Sequence, residues 1–178
     1  MTSDDARDRF TRAIMPHLDD AYSLARWLTG NATDAEDVVQ DACLRALAAL
    51  AGAEAAHPRA WLLTITRNVA FTWLAKNRPR DLVLAGGAED AEGHDGASAH
   101  CDEPSPEAAL IEAADRRSVE AAIAALPIPF REALVMREVN GLSYREIADA
   151  TGAPIGTVMS RLARARALLI DRLGRMSQ

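Results

Sequence analysis

Thr157, Ser160, Arg161 and Arg164 stand at positions i, i+3, i+4 and i+7 of a stretch with helical periodicity, so they share one face of a helix. Two hydroxyls and two guanidinium forks in one row suit the base edges and phosphates of a DNA major groove. This stretch opens at Pro154, in the first helical position, and runs to about Leu173. Before it lies a shorter helical segment through Ala150, opened by the capping box Ser143-Tyr144-Arg145-Glu146. Thr151-Gly152-Ala153 forms the turn between them. Ile147 and Ala148 in the first segment, with Ile155, Val158 and Leu162 in the second, supply the apolar contact of a helix-turn-helix. The backbone amides at the start of the second helix suit a phosphate. Solvated helical hairpins also expose arginines, so the DNA reading needs support from the rest of the chain.

Nothing in the chain offers a catalytic centre. There is no glycine-rich phosphate loop and no Ser/His/Asp or Cys/His arrangement. His94, His100 and Cys101 come close together, but their spacing fits no structural zinc pattern and no fourth ligand is near. Cys43 and Cys101 are expected to be reduced thiols, and His17 and His57 ordinary surface or interface residues. The expectation is a non-enzymatic protein without metal or cofactor.

The elements that position this face are read from composition and charge. The chain has 178 residues and a net charge of −6, which looks wrong for a DNA binder until it is resolved along the sequence. Trp61 to Arg80 holds four basic residues and no acid. Thr151 to Gln178 holds five arginines against Asp171 alone, whereas Leu82 to Pro106 holds six acids and no Lys or Arg. Local charge decides where a phosphate backbone docks. The acidic stretch has little to bury and is expected to be a flexible linker. Alanine is abundant and β-branched runs are few, so the fold class expected is all-α. Two small helical domains follow, 1–81 and 107–178, joined by linker 82–106. Ser105 is the expected N-cap of the helix that starts the second domain, with Pro106 in its first position. No secretory signal and no apolar run of about twenty residues is visible, so a cytoplasmic protein without membrane insertion is expected.

Within the first domain, Ala21 to Thr29 reads as a helix closed by Gly30-Asn31. Thr33-Asp34-Ala35-Glu36 reads as a capping box opening a helix to Leu50, with Asp34, Asp37, Gln40 and Asp41 opposite its apolar side. Trp61 to Asn77 is a third helix, ended by Pro79. In the second domain, Arg116 to Leu126 and Phe130 to Val139 read as helices split by Pro127-Ile128-Pro129, and Asn140-Gly141 as a tight turn.

Two blocks carry a specific resemblance. Asn140-Gly141-Leu142-Ser143-Tyr144-Arg145-Glu146-Ile147-Ala148, followed by Gly156 to Arg166, closely resembles the C-terminal promoter-binding domain of extracytoplasmic-function sigma factors. Asp34 to Asp41 and Trp61 to Asn68 resemble their N-terminal domain. The order, the acidic linker and the length agree with that family, and only the linker falls outside the match.

The resemblance implies roles. Asp37, Gln40 and Asp41 stand where the family docks on core RNA polymerase, and carboxylates on an exposed face suit a partner carrying arginines. The loop Ala51 to Arg59 and the following helix correspond to the part that melts and reads the minus-ten element. Asn68 would hold a flipped base, since an amide both donates and accepts. Arg67, Lys76, Arg78 and Arg80 would hold phosphates. Trp61 belongs with this set by position, although core packing is its more ordinary use, and the role of Trp73 stays open. The helix-turn-helix corresponds to the reader of the minus-thirty-five element, with Thr157, Met159, Ser160, Arg161 and Arg164 as contacts and Arg145 as a phosphate clamp. The partners implied are core RNA polymerase, promoter DNA and an anti-sigma factor.

Two departures from the family pattern bear on specificity. Met159 stands where many relatives carry Lys or Arg, and a thioether makes no bidentate bond to guanine; it can touch a thymine methyl. The loop 51–59 is alanine-rich and has no aromatic residue. Two other classes of function compete: a homodimeric regulator binding a palindromic operator, and a decoy that only holds an anti-sigma factor. The first leaves residues 1–81 without a task. The second has no need of the basic residues.

Overall fold

The computed structural model describes residues 3–50, 56–80 and 106–176. They form eight α-helices and no strand among the described residues: α1 (Ser3–Ala13), α2 (Leu18–Thr29), α3 (Ala32–Leu50), α4 (Pro58–Asn77), α5 (Pro106–Ala124), α6 (Ile128–Leu134), α7 (Tyr144–Thr151) and α8 (Ile155–Met176). A short 3₁₀ turn, Met15–His17, precedes α2, and a π-turn, Val135–Val139, follows α6. Most of the acidic segment 82–106, with His94, His100 and Cys101, lies outside the described residues, as do residues 51–55 of the alanine-rich loop.

Local chemistry explains the ends. Gly30 closes α2 at φ +87°, and Gly152 closes α7 at φ +67°, both in the left-handed region that glycine enters without a Cβ penalty. The cap of α3 differs from the sequence expectation. Asn31, not Thr33, is the N-cap: its Oδ1 accepts from the Asp34 N–H at 2.9 Å, and its amide donates to the Asp34 carboxylate. Asn is as good a cap as Thr, and the chain leaves α2 at Gly30, so the first free side chain takes the position. The break expected at Pro127-Ile128-Pro129 lies two residues earlier, at 125–127, because α5 ends at Ala124 and α6 starts at Ile128. The Pro127 carbonyl accepts from Phe130 and Arg131 at 2.9 Å, and Pro129 sits in the first turn of α6 where no N–H is needed. α1, whose sequence looks merely charged, is held by Phe10, Ala13 and Ile14 against α2, α3 and α4.

α2, α3 and α4 pack on one another around Leu24, Leu28, Val38, Leu63, Val69 and Leu74. Ala25, Ala35, Ala42 and Ala70 among them are fully buried and let the helices approach closely. The same apolar cluster continues without a break into Ile128, Val135, Met136, Ile147, Val158 and Leu162 of the second half. A smaller cluster of Leu126, Leu134 and Ala165 ties α6 to α8. The two halves therefore share a core: α2 lies against α6, and α4 against α7.

Candidate nucleic-acid interface

α7, the turn at Gly152 and α8 form the helix-turn-helix. Its entry is fixed by the expected capping box: the Glu146 N–H donates to Ser143 Oγ at 3.2 Å, and the Ser143 N–H donates to Glu146 Oε2 at 2.7 Å. The Ser143 backbone and side-chain hydrogen bonds hold the Glu146 carboxyl below its ordinary range. Pro154 precedes α8, and its carbonyl accepts from the N–H groups of Thr157 and Val158. Val158, Leu162 and Ala165 turn inward and are buried.

This packing splits the row expected from spacing alone. Ser160 and Arg164 lie on the exposed side of α8, joined by Met159 and Ala163. Thr157 is half-buried, and its carbonyl accepts from the Ser160 hydroxyl at 2.9 Å. Arg161 turns towards the molecule, with Nη1 3.6 Å from Glu132 Oε1. Arg145 is exposed on α7.

The minus-ten candidates all lie on α4 or just beyond it. Asn68 is exposed, and its Oδ1 accepts from Arg67 Nη1 at 3.3 Å. Arg67 also donates from Nε to Glu132 Oε2 at 2.9 Å, and its guanidinium stacks 3.8 Å from the Phe71 ring centre. Lys76, Arg78 and Arg80 are exposed at the C-terminal end, where cations also suit the helix dipole. Arg78 lies 5.6 Å from the Trp73 ring, which gives Trp73 a task as a partly buried support for that cation. Trp61 is half-buried against the cluster of Ile14, Ala46 and Leu50, a packing role.

On α3, Asp37 and Gln40 are exposed and Asp41 is half-exposed, paired with Arg45 at 2.9 Å. Leu44 continues the same strip at i+7 and is 62% exposed. An exposed leucine amid carboxylates is what sequence periodicity passes over.

Glu132 is the functional candidate that the sequence reading missed. It is 1% exposed and meets guanidinium groups from both halves of the chain, Arg67 of α4 and Arg161 of α8. Burial pushes its carboxyl above the ordinary range, and the hydrogen bond and charge of Arg67, with the charge of Arg161, only partly offset this. Glu132 follows Arg131 at the head of the apolar run Ala133 to Met136, where a charged pair reads as an exposed helix face. Near it, Asn140 Nδ2 donates to the Asp20 carbonyl at 3.1 Å, Arg59 donates to the Asn140 carbonyl, and Arg59 Nε pairs with Asp20 Oδ2 at 2.7 Å.

No group of three or more His, Cys, Asp or Glu residues is arranged to hold a metal among the described residues. No helix there is long and apolar enough to cross a membrane. Cys43 carries a free, half-buried thiol whose pKa burial raises.

Known proteins place these features. Residues 13–80 match the family model for sigma-70 region 2, and residues 116–169 match that for sigma-70 region 4. The RNA polymerase sigma-H factor of Pseudomonas aeruginosa is 40% identical over 141 residues, covering 76% of this chain and 71% of that protein. This chain belongs to the extracytoplasmic-function sigma factors of the sigma-70 family. The extracytoplasmic-function sigma factor SigE of Mycolicibacterium smegmatis is 34% identical over 92% of this chain, which spans 61% of that longer protein. The sigma factor RpoE of Bartonella quintana, solved in complex with the anti-sigma factor NepR, superposes with a TM-score of 0.72 at 27% identity, over 93% of this chain and 96% of that one. In this sigma factor the α4 set falls within the region 2 match. Arg145, the α8 set and Glu132 fall within the region 4 match.

Proposed function

We propose that this sigma factor brings core RNA polymerase to promoters through two DNA contacts and one polymerase contact, and opens the minus-ten element without nucleotide hydrolysis. The observation that carries this reading is the pairing, in one chain and in this order, of the two sigma-70 matches with a helix-turn-helix whose exposed face holds Met159, Ser160 and Arg164.

Asp37, Gln40 and Asp41, with Leu44, form the docking strip for polymerase: charge steers the encounter and the leucine supplies a desolvated centre. Asn68 takes the flipped base of the minus-ten element, while Lys76, Arg78, Arg80 and Arg67 hold phosphates. Met159, Ser160 and Arg164 face the bases of the minus-thirty-five element, Arg145 clamps a flanking phosphate, and Arg161 with Thr157 lies at the edge of that contact. The working units are the segments 1–81 and 107–178, with 82–106 as the tether. The protein acts in the cytoplasm and is not an enzyme. The Bartonella relative is held by an anti-sigma factor, and a partner of that class holds this chain inactive until a signal releases it.

The reading is tested by gel filtration with sigma-free core polymerase. The expected result is a stoichiometric complex that D37R/D41R abolishes. A wild-type chain that stays separate from core at micromolar concentration contradicts it.

A further inference from the structure

Arg67 is assigned to the minus-ten contact and Arg161 to the edge of the minus-thirty-five contact, yet both reach the same carboxylate. Arg67 Nε lies 2.9 Å from Glu132 Oε2 and Nη2 lies 3.4 Å from Oε1, while Arg161 Nη1 lies 3.6 Å from Oε1. A carboxylate offers a guanidinium the same paired acceptor oxygens as a phosphate. We propose that Glu132 is an internal substitute for DNA phosphate, and that it holds the free sigma factor closed, with the two halves unable to engage their promoter elements together. This rests on the promoter reading given above.

Distance decides that the closed form cannot be the bound one. Elements centred near −10 and −35 lie about 25 base pairs apart, on the order of 85 Å along the duplex. Here the two reading arginines meet at one side chain. The segment 81–105, about 25 residues, spans at most about 80–90 Å when extended, so the chain is long enough to let the halves part that far.

Further bonds across the halves close the same seam. Asn140 Nδ2 donates to the Asp20 carbonyl at 3.1 Å, Arg131 Nη1 donates to the Trp27 carbonyl at 3.2 Å, and Arg59 reaches the Asn140 carbonyl. The buried charge couples opening to DNA. A carboxylate this deep is tolerated only with its cations, so a phosphate that captures Arg67 leaves Glu132 undercompensated and favours its return to water. A closed state favoured a hundredfold lowers apparent promoter affinity about a hundredfold.

A cross-link tests this directly. Asp19 and Val139 are exposed and adjoin Asp20 and Asn140, the pair bonded across the seam. In a C43S/C101S parent, D19C/V139C is treated with a short bismaleimide. The expected result is rapid intramolecular linkage in the free chain, and at least a fiftyfold loss of promoter-dependent transcription with core after linkage, while the parent stays active. In the same assay E132Q, with helix content checked by circular dichroism, links more slowly when introduced into the pair and binds promoter DNA about tenfold more tightly without core. Failure to link, or a linked chain that transcribes like the parent, overturns the proposal. A parent that yields no transcript overturns the sigma-factor reading itself, and the proposal with it.

An independent observation concerns what α8 reads. Ile155 (51% exposed), Met159 (53% exposed) and Ala163 succeed one another at i+4 beside Ser160 and Arg164. The apolar group a base presents in the major groove is the thymine methyl. We infer that the minus-thirty-five element of this sigma factor places thymines against Met159 and Ile155. Deoxyuridine, which lacks only that methyl, is substituted singly at each thymine of a promoter that the holoenzyme uses. A loss of about fourfold in affinity, the worth of one buried methyl, is expected at one or two positions, and M159A abolishes it at one of them. No loss at any thymine, or equal losses in wild type and M159A, overturns the inference. Absence of any promoter that the holoenzyme uses sinks the sigma reading instead.

Discussion

Arg67 and Glu132 are 65 positions apart in sequence, and a 2.9 Å hydrogen bond joins them across the two halves of the molecule. The acceptor is the most deeply buried carboxylate of the described chain, so the pair is a structural commitment and not a surface contact that salt would dissolve. It also ties Arg67, an arginine of the first half proposed for promoter contact, to an acid of the second half.

The titration of Glu132 follows from its burial. Its carboxyl is raised above the ordinary glutamate value, so the folded state binds the proton more tightly than the unfolded chain does. The stability this contributes is fully present below about pH 4.3, the unfolded value, and is lost as pH rises through the folded value. Wild-type stability relative to E132Q therefore falls as pH rises above the unfolded value. Thermal melts of both proteins at rising pH check it; a difference that stays flat, or grows with pH, contradicts the assignment.

Ser143→Ala removes one arm of the capping box. It is expected to cost about 1 kcal/mol of stability in urea titrations, with the slope unchanged. The Glu146 carboxyl, now held low by Ser143, moves up towards its ordinary value by carbon-detected NMR. Because a depressed carboxyl stabilises above its unfolded value, the wild-type advantage from this pair disappears as the medium is acidified through the folded value.

On α3, charge and apolar area separate. L44A is expected to weaken polymerase binding by roughly 1–2 kcal/mol at all salt concentrations, as loss of a buried interface leucine does. The milder D37N/D41N is expected to slow association most at low salt and less at high salt. Stopped-flow binding to labelled core distinguishes the two; identical salt dependence for both variants contradicts the separate roles of charge and leucine. Neither change touches the core of the sigma factor, so melting temperatures stay within a few degrees of wild type.

Arg164→Ala on α8 separates base reading from phosphate holding. A bidentate base contact predicts a loss of about 1–3 kcal/mol at one promoter position and relaxed preference there, whereas a phosphate contact predicts uniform weakening and a salt slope smaller by about one. Arg164 faces outwards beside Ser160, so the base-specific result is expected from competition binding with single-base promoter variants.

Much of this was legible from residue types at fixed spacing. The helix-turn-helix could be read because Ser143, Glu146, Gly152 and Pro154 are local signals, and their bonds are made within a few residues. The strip of Asp37, Gln40 and Asp41 could be read because a helix face is a periodic object. Asn31 was passed over as the cap of α3 because Thr33 to Glu36 satisfies the same pattern two residues later. The inward turn of Arg161 and the burial of Glu132 could not be read, since both depend on a contact between segments far apart in sequence. Helical spacing assigns Arg161 to the same side as Arg164, and only the packing of α8 against α6 shows which edge of that side is covered.

Promoter-directed initiation is tested most directly by transcription. Purified protein is mixed with sigma-free core RNA polymerase on a pooled library of promoter fragments from the same genome, and the 5′ ends of the transcripts are mapped. Discrete start sites that depend on the protein, vanish with D37R/D41R and share an upstream element are expected. Random or absent initiation, from a protein that is folded and free of inhibitor, contradicts it.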